Sequence, residues 1–172
     1  DRDTNEALGW KQVGGDIDGE DANDYSGYSV AMSSNGTRIA IGAIWNRGSG
    51  YESGHVRVYD RDTNEAFGWK QVGDDIDGEA VEDNSGTSVA MNSDGTRIAI
   101  GAADNDGNGA NSGHVRVYDY INGSWTQVGN DIDGEASGDN SGRSVAMSSD
   151  GTIIAIGAPY NDGNGSDSGH VR

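Results

Sequence analysis

Bulky and small apolar residues alternate in the few segments of this chain that carry apolar side chains. In Arg38-Ile39-Ala40-Ile41-Gly42 the isoleucines fall on one side of an extended strand and Ala40 and Gly42 on the other. Val30 and Met32 flank Ala31 in the same way, and Val56 and Val58 are expected to join the bulky side. This period of two, with β-branched enrichment, predicts four short strands: Trp10 to about Ile17, Ser29–Ser33, Thr37–Gly42 and His55–Tyr59. Asn35-Gly36 separates the second from the third and signals a tight hairpin, because such pairs tolerate positive φ. No stretch shows a helical period with caps. A sheet with one bulky and one small face cannot hide both alone, whereas stacked sheets seat the large residues of one on the small face of the next.

The pattern recurs. Trp10-Lys11-Gln12-Val13-Gly14 returns at Trp69 and again, with Thr126 for lysine, at Trp125, offsets of 59 and 56 residues. His55-Val56-Arg57-Val58-Tyr59 returns at His114 and begins again at His170. The three-residue shortening falls where Asp62–Gly68 contracts to Ile121–Ser124, a change that a loop absorbs cheaply. The fold class that follows is all-β, with propeller-type blades in three four-stranded antiparallel units of about 57 residues, approximately 1–59, 60–118 and 119–172 within one repeat domain. The chain order is strand four of one blade, then strands one, two and three of the next. The third copy of the His-Val-Arg-Val-Tyr pattern stops at Arg172, which marks either a window on a longer array or a permuted closure point. Three blades are too few for an ordinary ring, so the expected partner is the protein itself or further repeats of a longer parent.

Composition removes several classes. Acidic residues number 29 against 11 basic, for a formal net charge of -18, which repels nucleic-acid backbones and favours cations. Cysteine is absent, so neither a disulfide framework nor a cysteine zinc site exists. No apolar run approaches the length of a membrane span, so no membrane insertion is expected.

Ser85-Gly86-Thr87-Ser88-Val89-Ala90, the Asp94-Gly95 turn and Gly157-Ala158-Pro159 together resemble the FG-GAP repeat family, best known from integrin alpha-chain propellers, and the resemblance runs through all three units. Ser26, Ser85 and Ser141 stand where that family has phenylalanine, and Gly42-Ala43-Ile44 and Gly101-Ala102-Ala103 lack its proline. The resemblance implies adhesion and ligand binding outside the cell or at its surface, commonly with structural calcium. The family's calcium loop does not carry over: with Asp94 at its fifth position, Ala90 and Ile98 occupy the first and ninth, as do Ala146 with Ile154 and Ala31 with Ile39. An ordinary hairpin without metal is expected there.

A second acidic run repeats better. Asp16, Asp18, Glu20 and Asp24 recur as Asp75, Asp77, Glu79 and Asp83, and as Asp131, Asp133, Glu135 and Asp139. Converging carboxylates around a glycine turn suit Ca2+, a hard cation. The alternative is a solvated turn whose last aspartate caps its own backbone. Asp104 and Asp106 in one loop, Asp162 in its counterpart, and the aromatic residues Trp45, Tyr51 and Tyr160 form a candidate surface for a glycan or an extracellular protein. The recurrent tryptophans and tyrosines read as packing. His55, His114 and His170 read as structural histidines in separate sheets, and Arg57, Arg116 and Arg172 as partners for the acidic turns. No catalytic residue is assigned, because the carboxylate pairs recur in every unit and no nucleophile elbow is present. Asn35, Asn122 and Asn164 begin glycosylation sequons. The expectation is a structural or adhesive extracellular module that is not an enzyme, with a calcium-ordered module binding carbohydrate or protein as the alternative.

Overall fold

The computed structural model describes residues 9–64 and 68–172. Residues 1–8, in the first unit, and 65–67, in the loop that shortens between units, lie outside them. Every regular element among the described residues is a strand. The first sheet is built from β1 (Ser26–Met32), β2 (Arg38–Ala43) and β3 (His55–Arg61), with an outer strand in two pieces, β4 (Trp69–Gln71) and β5 (Ile76–Asp77), both antiparallel to β3. The second repeats it with β6 (Ser85–Met91), β7 (Arg97–Ala102), β8 (His114–Ile121), β9 (Ser124–Gln127) and β10 (Ile132–Asp133). The third holds β11 (Ser144–Met147), β12 (Ile154–Ala158) and β13 (His170–Val171). These are propeller blades, each outer strand following the other three in the chain. The outer strand breaks at Gly73, whose φ of 76° is open to glycine and takes it out of the extended region.

Register settles which side chains share a face. Met32 lies opposite Ile39 and Val30 opposite Ile41, so the bulky face expected from alternation is present. Val56, however, lies opposite Gly42, and Val58 opposite Ala40. The two valines therefore stand on the small face, and Arg57 and Tyr59 take the places on the bulky one. Alternation within a strand fixes two sides but not which side meets which neighbour; only the pairing does that.

Small face then meets bulky face. Ala40, Val56, Val58 and Ile76 of the first sheet form one buried cluster with Val89, Ile98, Ile100 and Tyr118 of the second. Ala99 and Val115 of the second pack with Ile156 of the third. β1 lies against β6, and β6 against β11. The approach is close enough that a methyl group added at Gly42 would collide with the carbonyl oxygen of Gly86, and one at Gly101 with that of Gly142. Those carbonyls are also held by Ser29 Oγ and Ser88 Oγ, each donating at 2.7 Å.

Arginines pin neighbouring sheets at the hairpin end. Arg97 donates to both carboxylate oxygens of Asp119 at 2.6 and 2.8 Å and, through Nη1, to the Gly151 carbonyl of the next blade at 2.9 Å. Arg38 does the same with Asp60 and Gly95. The hairpins need no outside help: Asp94 Oδ1 accepts from the backbone and hydroxyl of Thr96, as Asn35 Oδ1 does from Thr37.

Residues 10–17, expected as a strand, form no ladder apart from an isolated bridge at Trp10. A strand requires a partner, and none of the described strands pairs with this segment. The segment keeps its place in the stack nonetheless. Trp69 Nε1 donates to Val13 O at 3.0 Å, just as Trp125 Nε1 donates to Val72 O at 2.9 Å. It thus occupies, against the first blade, the position that the first blade's outer strand occupies against the second.

Two outcomes are expected. Gly101→Ala overpacks the blade junction and lowers unfolding free energy in urea by about 1–3 kcal/mol. The hydrogen bonds from Arg97 hold the Asp119 carboxyl below its usual range. The stability this pair supplies is therefore full above the ordinary carboxylate value and fades as pH falls through the lower folded one. The difference in urea midpoint between the native protein and Arg97→Met should shrink steadily as the solution is acidified through that range.

Candidate functional site

The acidic runs sit where each outer strand turns towards the next blade, and the fold divides their members among different tasks. The first aspartate is held by its own strand: Gln71 Nε2 donates to Asp75, and Gln127 Nε2 to Asp131, both at 2.6 Å, while Gln12 reaches Asp16 at 2.9 Å. The last aspartate is buried and caps its turn. Asp24 accepts from the Asp21 N–H at 3.1 Å and from Asn46 Nδ2 at 3.0 Å. Asp139 accepts from Ala136 N–H and Asn161 Nδ2, and Asp83 from Ala80 N–H.

The glutamates face the following blade. Arg57 Nη1 stands 3.5 Å from Glu20, and Arg116 Nη1 3.2 Å from Glu79, with the same pairing between Arg172 and Glu135. Each arginine also donates to the backbone carbonyl of the second acidic position, Asp18, Asp77 or Asp133. The pairing of arginines with acidic turns expected from sequence is thus present.

Beside each arginine, at the start of the third strand, lies the histidine. Antiparallel pairing sets Asp77 opposite His55, and Asp75, two residues earlier, follows on the same side of the extended chain. Glu20 arrives from the turn ahead of β1. His55 Nδ1 consequently stands 3.7 Å from Asp75, 3.9 Å from Glu20 and 4.0 Å from Asp77. Ligand-type atoms of Glu20, His55 and Asp75 all lie within 4.8 Å of one another, and the same holds for Glu79, His114 and Asp131. In the third blade Glu135 and His170 come within 3.7 Å. Gly48 covers the cluster; a side chain there would press on Asp77 Oδ1.

The rings of His55 and His114 are almost wholly buried, and that burial pushes both below the usual histidine range against the pull of the carboxylates. Each ring is neutral near neutral pH. Burial likewise raises Tyr59 and Tyr118, which pack beneath Arg57 and Arg116. The sequence read the histidines as structural residues in separate sheets and the carboxylates as linear runs. The structure instead joins Glu20 with acids from one repeat later, a signal carried by the offset between the His-Val-Arg segment and the acidic run.

The loop candidates also separate. Asp104 accepts from Asn84 and Asn140, both at 2.7 Å, and so braces two blades. Asp106 and Asp162 accept backbone N–H groups of their own loops, from Asn111 and Asp167. Trp45 packs on Tyr25, with ring centroids 4.3 Å apart. Tyr51, under Arg47, and Tyr160 stand exposed.

The sequence profile described as FG-GAP repeat matches residues 17–59 and 131–171. No curated protein shows significant sequence similarity to the chain. Among solved structures it resembles KlAtg21, in its complex with the coiled coil of AgAtg16, at 13% identity and a TM-score of 0.53 over 83% of this chain and 38% of that one. It also resembles a putative 6-phosphogluconolactonase from Bacteroides uniformis at 15% identity and TM-score 0.48, over 80% of this chain and 38% of that one. A third is the hydrazine synthase of Kuenenia stuttgartiensis, at 14% identity and TM-score 0.47, over 83% of this chain and 44% of that one. The chain spans less than half the length of each, and the likeness to the first is one of fold.

Because the Asp139 carboxylate works as a cap, Asp139→Ala should lower unfolding free energy by about 1–3 kcal/mol even in chelator, stranding the Asn161 amide and the Ala136 N–H. Urea titration with and without chelator reads this directly.

Proposed function

Given that this chain belongs to the FG-GAP repeat family, we propose that it is a structural and adhesive module acting outside the cell, without catalytic activity, and that its working surfaces are its two end blades. The observation that carries this reading is a difference in exposure between identical positions. Val89, on the bulky face of the second blade, is 9% exposed beneath the first; its counterpart Val30 is 67% exposed and Met32 61%. Ile39 and Ile41 line the same apolar groove. At the far end the small face is bare: Ala155 is exposed where Ala40 and Ala99 are sealed, and Val171 is 71% exposed where Val56 and Val115 are sealed.

Each end is thus the complement of the other, by the chemistry that joins the blades internally. Such a heterologous contact repeats head to tail. The partner is a blade of like sequence, on a second copy or on further repeats of a longer chain, and a segment like residues 10–17 would serve as outer strand to the third blade. Recurrence of the same carboxylates in every blade supports a non-enzymatic role. Among the described residues no helix is long and apolar enough to cross a membrane.

A second reading, a binding module for carbohydrate or protein ordered by calcium, draws on exposed Tyr51 and Tyr160 at the loop end. It predicts saturable glycan or protein binding that Tyr51→Ala or Tyr160→Ala weakens.

Light scattering in chelator tests the first reading. The native chain should show a mass that rises with concentration through multiples of 17.9 kDa. Val30→Asp with Met32→Asp, which alters only exposed positions, should hold it at a single chain. A native protein that stays monomeric at every concentration would overturn the stacking proposal.

A further inference from the structure

Burial leaves His55 with a need that stacking does not meet. The residue is 1% exposed, and its Nδ1 has no hydrogen-bond partner. The three carboxylate oxygens in front of it stand at 3.7–4.0 Å, beyond hydrogen-bonding distance. A buried polar atom left unmatched costs stability, and carboxylates gathered at one point repel each other. A single cation at their centre answers both.

We propose that each complete blade junction is a site for a divalent transition metal of the zinc class: Glu20, His55 and Asp75 with Asp77 in the first blade, and Glu79, His114 and Asp131 in the second. The donor set decides the class. Calcium and magnesium take oxygen ligands, whereas an imidazole nitrogen with carboxylate oxygens suits zinc and its first-row neighbours. The geometry is close to what such an ion needs. A tetrahedral centre with bonds of about 2.0 Å keeps its ligand atoms about 3.3 Å apart, so small side-chain rotations close the site. Charge agrees as well. The three carboxylates of the first site, offset by Arg57 on Glu20, leave a local charge that a divalent ion cancels.

The same three residue types meet again one repeat later, where the buried His114 turns Nδ1 to within 4.0 Å of Asp131. In the third blade only Glu135 and His170 come together, and no outer-strand aspartate joins them among the described residues. The described residues therefore bring together two such sites. Each ties the turn entering a blade to that blade's third strand and outer strand, so the metal acts as a clamp at the blade junction.

The test is a calorimetric titration of Zn2+ into the chelator-treated full chain held monomeric by Val30→Asp and Met32→Asp, with Ca2+ in a parallel run. Cobalt is added separately and read by its visible absorption. Two equivalents of Zn2+ per chain are expected, with a raised melting temperature and a cobalt spectrum showing nitrogen and oxygen ligation. His114→Gln should leave one equivalent, and Asp75→Asn with Asp131→Asn none. The aspartates are partly exposed and the amide keeps their shape, so the double variant decides the matter should His114→Gln fail to fold. Absence of saturable Zn2+ binding would overturn the proposal. So would two equivalents that survive the double variant, which is adventitious surface binding, or Ca2+ binding that His114→Gln leaves unchanged. None of these outcomes bears on association, which is measured in chelator.

Discussion

The whole arrangement rests on one steric condition: the backbone of each blade must come within contact distance of the next. Ala40 and Gly42, with Ala99 and Gly101, keep one face low enough for Val89, Met91, Ile98 and Ile100, or their counterparts in the third blade, to seat against it. Close-packed interiors tolerate no gap there, because apolar contacts are lost steeply with separation. The condition also creates a polar problem, since bringing Gly86 and Gly142 against a neighbour removes their carbonyls from water. Ser29 and Ser88 solve it across the junction. Serine at that phase is therefore as much a part of the interface as the alanine and glycine it accompanies.

Most of this was legible in the sequence because it is local. Alternation of Ile39-Ala40-Ile41-Gly42 named two faces, and the recurrent Trp-Lys-Gln-Val-Gly and His-Val-Arg segments marked the repeats. What could not be read depends on pairing. The side taken by Val56 and Val58 follows from the register of β2 on β3, which no single strand encodes. The strand expected at Trp10–Ile17 had every local mark of one, yet it pairs with no strand among the described residues. The acidic run was read as one loop because its spacing is loop-like. In the fold its last member is spent on a buried cap, while its third meets the first and second members of the following run. Sequence distance of one full repeat separates residues that stand within 4.8 Å of each other.

A net charge of -18 is large for 172 residues, and its placement explains why the fold bears it. Few acids face each other without an intermediary. Asp24, Asp83 and Asp139 accept backbone N–H groups, and Asp60 and Asp119 are forked by arginine. Bidentate pairing of this kind is geometrically selective as well as attractive. The exceptions are the groups around the two buried histidines, where three acids gather at His55 and two, Glu79 and Asp131, at His114, each with one arginine beside them. There like charge is concentrated, and the arrangement recurs at the same point of two blades.

The third unit departs from the repeat at a telling position. Arg38 and Arg97 each reach a carbonyl of the following blade, at Gly95 and Gly151. The corresponding residue is Ile153, 69% exposed. A blade seated on the third small face would meet isoleucine where the internal junctions offer a guanidinium. Its hairpin carbonyl at Gly36 would lose a charged donor, while Ile153 would add apolar surface to the contact. A terminal junction would thus be built on the same Ala and Gly face as the internal ones, yet depend more on apolar burial and less on the arginine fork. Salt would then act on the internal pins, weakly because they are partly buried, and leave the terminal contact comparatively untouched. The two kinds of junction are alike in shape and distinct in what holds them.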